Sequence, residues 1–98
     1  MEVTKELNNN ELLFRVTGRL DTSSSPILEK ELAEIGDEIT TVVLDFEKLE
    51  YVSSSGLRII LGLQKKMNAK GKLIIRNVCA MVKEVFDITG FTNILTIE

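Results

Sequence analysis

Residues 41–46, TVVLDF, are β-branched and apolar but for Asp45, the composition of a strand at the centre of a sheet. A central strand needs neighbours on both sides, and the rest of the chain must supply them. Residues 11–18, ELLFRVTG, set Leu12, Phe14 and Val16 in alternation with Leu13, Arg15 and Thr17, the period of a strand with one buried face. Residues 2–7 are a weaker strand. Asn8, Asn9 and Asn10 lie between the two and favour a tight antiparallel turn, because asparagine tolerates left-handed backbone geometry. The first twenty residues therefore read as a hairpin.

Helical spacing takes over between these strands. Pro26 at the first helical position, with Ser25 before it as cap, predicts a helix start, and Ile27, Leu28, Leu32 and Ile35 share one face before Gly36 stops it. After TVVLDF the chain runs through EKLEYV into Ser53–Ser54–Ser55–Gly56, where a second helix opens. Leu57, Ile60, Leu61 and Gln64–Met67 carry its pattern, and Lys65, Lys66 and Lys70 complement the helix C-terminus before Gly71. KLIIR at 72–76 is a short buried strand, and Val82, Val85 and Phe86 mark a third helix ending before Gly90. Ile94–Ile97 reads as a last strand, with Phe86 and Phe91 in the core and Cys79 in a structural role at the third helix's start. The predicted order is β-β-α-β-α-β-α-β, an α/β fold with a mixed sheet, an N-terminal antiparallel hairpin and helices packed against the sheet.

Composition restricts chemistry more than architecture. In 98 residues there is no histidine and one cysteine, so no Ser-His-Asp triad, phosphohistidine relay, internal disulfide or CxxC redox pair can be built. A net charge of −3 gives no footprint for nucleic acid or anionic lipid. No apolar run is long enough to span a bilayer, and MEVTKEL lacks the basic-then-apolar pattern of a signal peptide, so a cytoplasmic location is expected. The phosphate-binding loop and the dinucleotide fingerprint are both absent. Neither cofactor nor metal is expected, and catalysis is not.

The segment Tyr51–Leu61, YVSSSGLRIIL, is the informative one. A strand, a serine loop and an immediate helix place hydroxyls at the positive end of a helix dipole beside free backbone N–H groups, where a phosphate ester is tolerated. The spacing alone is met equally well by a serine that only caps the helix. Along its whole length, residues 1–98, the chain resembles the STAS domain of bacterial anti-sigma factor antagonists. The resemblance is carried by the first hairpin, GRLDTSSSPILEKEL, TVVLDFEKLEYVSSSGLRIIL and the closing VFDITGF.

The resemblance implies a switch protein. Unphosphorylated, such an antagonist binds an anti-sigma factor that is itself a serine kinase and so frees a sigma factor. Phosphorylation reverses the binding, and a phosphoserine phosphatase is a further partner of such a switch. With Gly56 as anchor the acceptor position falls on Ser54, and Ser55 takes the neighbouring Ser/Thr position. Familiar members have aspartate before the acceptor where this chain has Ser53, which makes Ser53 a competing hydroxyl. Asp21 matches an acidic position near the acceptor, and Asp45 the acid closing the central strand; the residues alone allow both to be local hydrogen-bonding carboxylates. The expected docking surface is Asp21, Thr22 and Ser53–Arg58, with Leu57 giving an apolar contact and Arg58 pointing outward. The competing reading is a non-switching STAS scaffold subunit of a lipid-transport ATPase or stress-signalling complex. The free domain is expected to be a monomer or a weak dimer.

Overall fold

The computed structural model describes residues 1–98, with elements in the order β1 (Glu2–Asn8), β2 (Glu11–Leu20), α1 (Ser25–Ala33), β3 (Thr41–Asp45), β4 (Leu49–Val52), α2 (Ser54–Lys70), β5 (Lys72–Arg76) and α3 (Ala80–Thr89), then a 3-10 turn at Phe91–Asn93. Asn9 adopts the left-handed conformation, φ 56°, which sets Asn8 opposite Glu11 and pairs β1 with β2 along the whole of β1. β2 is the spine of the sheet. It pairs antiparallel with β1 and parallel with β3 and β4, and β3 in turn pairs parallel with β5. The hairpin and mixed sheet are as the sequence predicts.

Registers align the apolar residues into rows across the strands. Leu12 pairs with Val42 and Val42 with Leu73; Phe14 pairs with Leu44 and Leu44 with Ile75. These rows face the helices and join the buried core with Leu28 and Leu32 of α1, Ile60, Leu63 and Met67 of α2, and Val82 and Phe86 of α3. Phe91 is only half-buried and stacks on Phe86, ring centroids 6.5 Å apart.

Several elements differ from the sequence reading. EKLEYV is not a plain connection: Leu49–Val52 form β4, with Leu49 and Val52 buried and Glu50 exposed. Four residues are too few to display a period, so the strand is hidden in a charged segment. Gly18, at φ 101°, sits where the pairing of β2 shifts register to meet β4. The expected last strand, Ile94–Ile97, shrinks to one parallel bridge between Ile75 and Ile97, held by Ile75 N–H donating to the Thr96 carbonyl and Glu98 N–H donating to the Ile75 carbonyl. Helix α1 starts one residue early, with Ser24 rather than Ser25 at the N-cap position, and ends at Ala33 instead of running to Gly36. Ile27 is 49% exposed and so lies off the buried face. Lys70 ties α2 to the loop after α1, its Nζ donating to the Gly36 carbonyl at 2.8 Å, rather than only balancing the helix dipole.

One polar group in the core is unsatisfied. Gln64, 6% exposed, donates from Nε2 to Asn68 Oδ1 at 2.8 Å, but its Oε1 is buried with no partner. A buried acceptor without a donor costs its desolvation penalty, and an unbranched apolar side chain of similar volume removes it. Gln64→Met is therefore expected to raise the unfolding free energy by about 1–2 kcal/mol, read as a higher urea midpoint at unchanged slope.

Candidate functional site

Two chain segments emerge side by side at one end of the sheet. β2 ends at Leu20 and β4 at Val52, these two residues are register partners, and Ser53 N–H donates to the Leu20 carbonyl at 2.8 Å. The loop after β2 therefore lies beside the start of α2. Gly56 makes that junction possible: a Cβ there would stand 2.7 Å from Leu20 Cγ and 3.0 Å from Val52 Cγ2. The first turn of α2 rests on those two side chains because residue 56 has none.

The three serines of this turn hold different positions. Ser53 is the N-cap, its Oγ accepting from Gly56 N–H at 3.3 Å and its carbonyl accepting from Leu57 N–H at 2.9 Å. The Ser55 and Thr22 hydroxyls lie 3.2 Å apart and join the two loops. Ser54, the first helical residue, is exposed, and its hydroxyl is engaged with no other group. The amides of Ser54 and Ser55 precede any intrahelical acceptor, so the turn presents free N–H donors at the positive end of a 17-residue helix.

Asp21 organises the facing loop. Its Oδ1 accepts from Ser23 N–H and Oγ–H and from Ser24 N–H, at 2.9–3.1 Å, while Ser24 Oγ donates to the Arg19 carbonyl at 2.6 Å. The hydroxyl of Ser23 above all, with the Ser24 groups, holds the Asp21 carboxyl below its ordinary value near 3.8. Sequence reasoning assigned no role to Ser23, Ser24 or Arg19. The guanidinium of Arg19 stacks over Tyr51, 4.3 Å from the ring centroid, and this follows from their being register partners in β2 and β4. β4 was not legible, so neither was the pair.

Two expected positions change. Leu57 turns inward, 7% exposed and part of the core, so it offers no apolar contact to a docked surface. Asp45 joins a different cluster: its Oδ1 accepts from Glu47 N–H and from Asn77 Nδ2, both at 3.0 Å, with Arg15 Nε 4.0 Å from Oδ2. It ties the ends of β3 and β5 together and does not contact the serine turn. Arg58 is exposed as expected. It borders a groove of about 400 Å³ between α1 and α2, together with Thr22, Ser55, Glu29, Ile59 and Lys66. Cys79 is a half-buried free thiol at the N-cap of α3, 3.4 Å from the Leu49 carbonyl. No helix is long and apolar enough to cross a membrane.

The model of the STAS domain matches residues 2–98. The chain belongs to the STAS domain family. This STAS chain is 32% identical over 99 residues to BtrV of Bordetella bronchiseptica, provisionally named an anti-sigma factor antagonist, covering 99% of this chain and 85% of that one. It is 26% identical over 99 residues to the anti-sigma-B factor antagonist of Bacillus subtilis, covering 100% and 91% of the two chains. Among solved structures, the fold is similar to that of the Bacillus anti-sigma factor antagonist SpoIIAA. For its unphosphorylated form the TM-score is 0.84 at 22% identity, with 99% of this chain and 88% of that one covered. For its phosphorylated form the TM-score is 0.77 at 22% identity, with 99% and 91% covered.

Two outcomes test the geometry of the STAS site. Gly56→Ala is expected to destabilise the fold by about 1–3 kcal/mol, the range for forcing a methyl group into packed side chains, measured by denaturant unfolding. The depressed Asp21 pKa means that the unfolded chain takes up a proton at higher pH than the folded chain. Its contribution to stability is therefore complete above the ordinary carboxylate value and is lost as pH falls through the lowered one. Asp21→Asn should lower the thermal midpoint at neutral pH and flatten its decline below about pH 4. A decline as steep as that of the wild type would contradict this role.

Proposed function

We propose that this STAS chain is an anti-sigma factor antagonist: unphosphorylated, it binds an anti-sigma factor that is a serine kinase, and phosphorylation of Ser54 ends that binding. The kinase would join the γ-phosphorus of ATP to Ser54 Oγ, with the bond to ADP breaking and the hydroxyl proton leaving. A phosphoserine phosphatase would reset the switch by hydrolysis. The names of the relatives support the partner class. The reading rests on regulated binding, with no reaction catalysed by the chain itself.

The observation that carries the reading is the division of labour among the serines. Ser53 caps α2 and Ser55 meets Thr22, while Ser54 is exposed and unengaged. An acceptor hydroxyl must reach a kinase active site without unmaking the fold, and Ser54 is the serine of the three that can. Ser53 in place of the aspartate of familiar members serves the helix as a neutral cap, so no carboxylate stands immediately before the incoming phosphate. A phosphate at the first helical position meets free N–H donors and the favourable end of the dipole, so the modified chain stays folded.

Docking would cover Asp21, Thr22, Ser53–Ser55 and Arg58, with the Gly56 backbone between them and Leu57 acting from below as support. A phosphate brings about −1.5 to −2 charges into that patch and must be desolvated if the complex is to persist, so the partner leaves.

The test uses a candidate cognate anti-sigma kinase. Incubation with that kinase and ATP should add one phosphate by intact mass, absent in Ser54→Ala. Ser54→Asp should weaken kinase binding by roughly tenfold or more, with Ser54→Ala unchanged. A phosphate that persists in Ser54→Ala would move the acceptor to Ser53 or Ser55. Binding without any phosphate would favour the scaffold reading.

A further inference from the structure

We propose that Arg58 is the residue through which a phosphate on Ser54 acts: the phosphate takes the Arg58 guanidinium into an ion pair within α2 and withdraws it from the docked partner. The proposal rests on Ser54 being the acceptor. Ser54 and Arg58 stand four residues apart on α2, one above the other on the same face of the helix. Helical side chains lean toward the N-terminus, so the stem of Arg58 extends over the turn that Ser54 begins. Acid before base at this spacing is the favoured order for a helical ion pair, and a guanidinium binds phosphate oxygens two at a time.

Arg58 is also available. It is exposed and belongs to none of the chain's ion pairs. The other arginine at this end of the sheet, Arg19, is held against Tyr51. The charged groups that share the groove with Arg58 are Glu29 of α1 and Lys66 two turns further along α2, neither of them paired. Ser53 and Ser55 fit this role less well, because the hydroxyl of each is already engaged.

The consequence is a double change from one modification. Before phosphorylation the docking face carries an unpaired cation, open to an anionic group of the partner. Afterwards the same face carries the phosphate, and its cation is turned inward along the helix. Repulsion and lost attraction then act together.

The test needs no kinase. Phosphoserine is incorporated genetically at position 54 of the full chain, and the phosphate is titrated by phosphorus NMR in the wild type, Arg58→Gln and Arg58→Lys. The helix N-terminus acts on the phosphate equally in all three, so differences among them report residue 58. In the wild type the second phosphate ionisation should fall several tenths of a unit below that in Arg58→Gln, with Arg58→Lys between them because it keeps the charge and loses the fork. Identical titrations in the wild type and Arg58→Gln would overturn the proposal. A failure of the Ser54 acceptor reading would show separately, as absence of kinase-dependent phosphate on the unmodified chain, and would leave this titration unaffected.

Discussion

The site depends on one close approach, that of the Gly56 backbone to Leu20 and Val52. Those two side chains close the ends of β2 and β4, and any Cβ at residue 56 would collide with them. Because the approach is allowed, α2 begins directly above the strand ends, and its first turn faces the loop that Asp21 has folded. The hydroxyl contact between Thr22 and Ser55 then follows from the proximity of the two backbones, with no long side chain reaching across. Lifting α2 away would separate the loops and remove the shared surface. The absence of a side chain at residue 56 is thus a condition for having a composite site at all.

Much of this was readable from residue types with strong local preferences. Asn9 takes the left-handed turn that three consecutive asparagines suggest, and Ser53–Gly56 open a helix as capping chemistry predicts. TVVLDF is central because Val42, Val43 and Leu44 are apolar throughout, and its polar residues Thr41 and Asp45 stand at the two ends of β3. Features set by tertiary contact are not legible in the sequence. β4 has four residues and follows a charged stretch, so only the pairing of Leu49 and Val52 beside β2 reveals it. The tail at 94–97 has the composition of a strand, but the turn at Phe91–Asn93 leaves it room for a single bridge. Leu57 turns inward with Ile60, as its place in the helical pattern implies and against its assignment to the docking surface. Asp21 was singled out for its position, yet its partners Ser23 and Ser24 were hidden in a serine run that reads as mere loop composition.

The electrostatic character of the site also differs from what net charge suggests. The chain is acidic as a whole, at −3, yet the serine turn is positive through backbone dipoles and Arg58, and the loop opposite is negative through Asp21. A net charge sums groups spread over the whole surface, and its field is largely screened beyond a Debye length of roughly 8–10 Å. At contact, fixed dipoles and single side chains decide.

The bridge from Ile75 to Ile97 has a bearing on solubility. Beyond it β5 has no further partner in the sheet, and hydrogen bonds to Thr96 and Glu98 occupy the outward-facing groups of Ile75 that would otherwise invite a strand from another molecule. Those last residues act as a selvedge, the finished border that stops a woven edge from catching. Trimming them would leave the serine turn whole and expose an apolar strand edge at the opposite side of the sheet from β1, an edge that invites self-association.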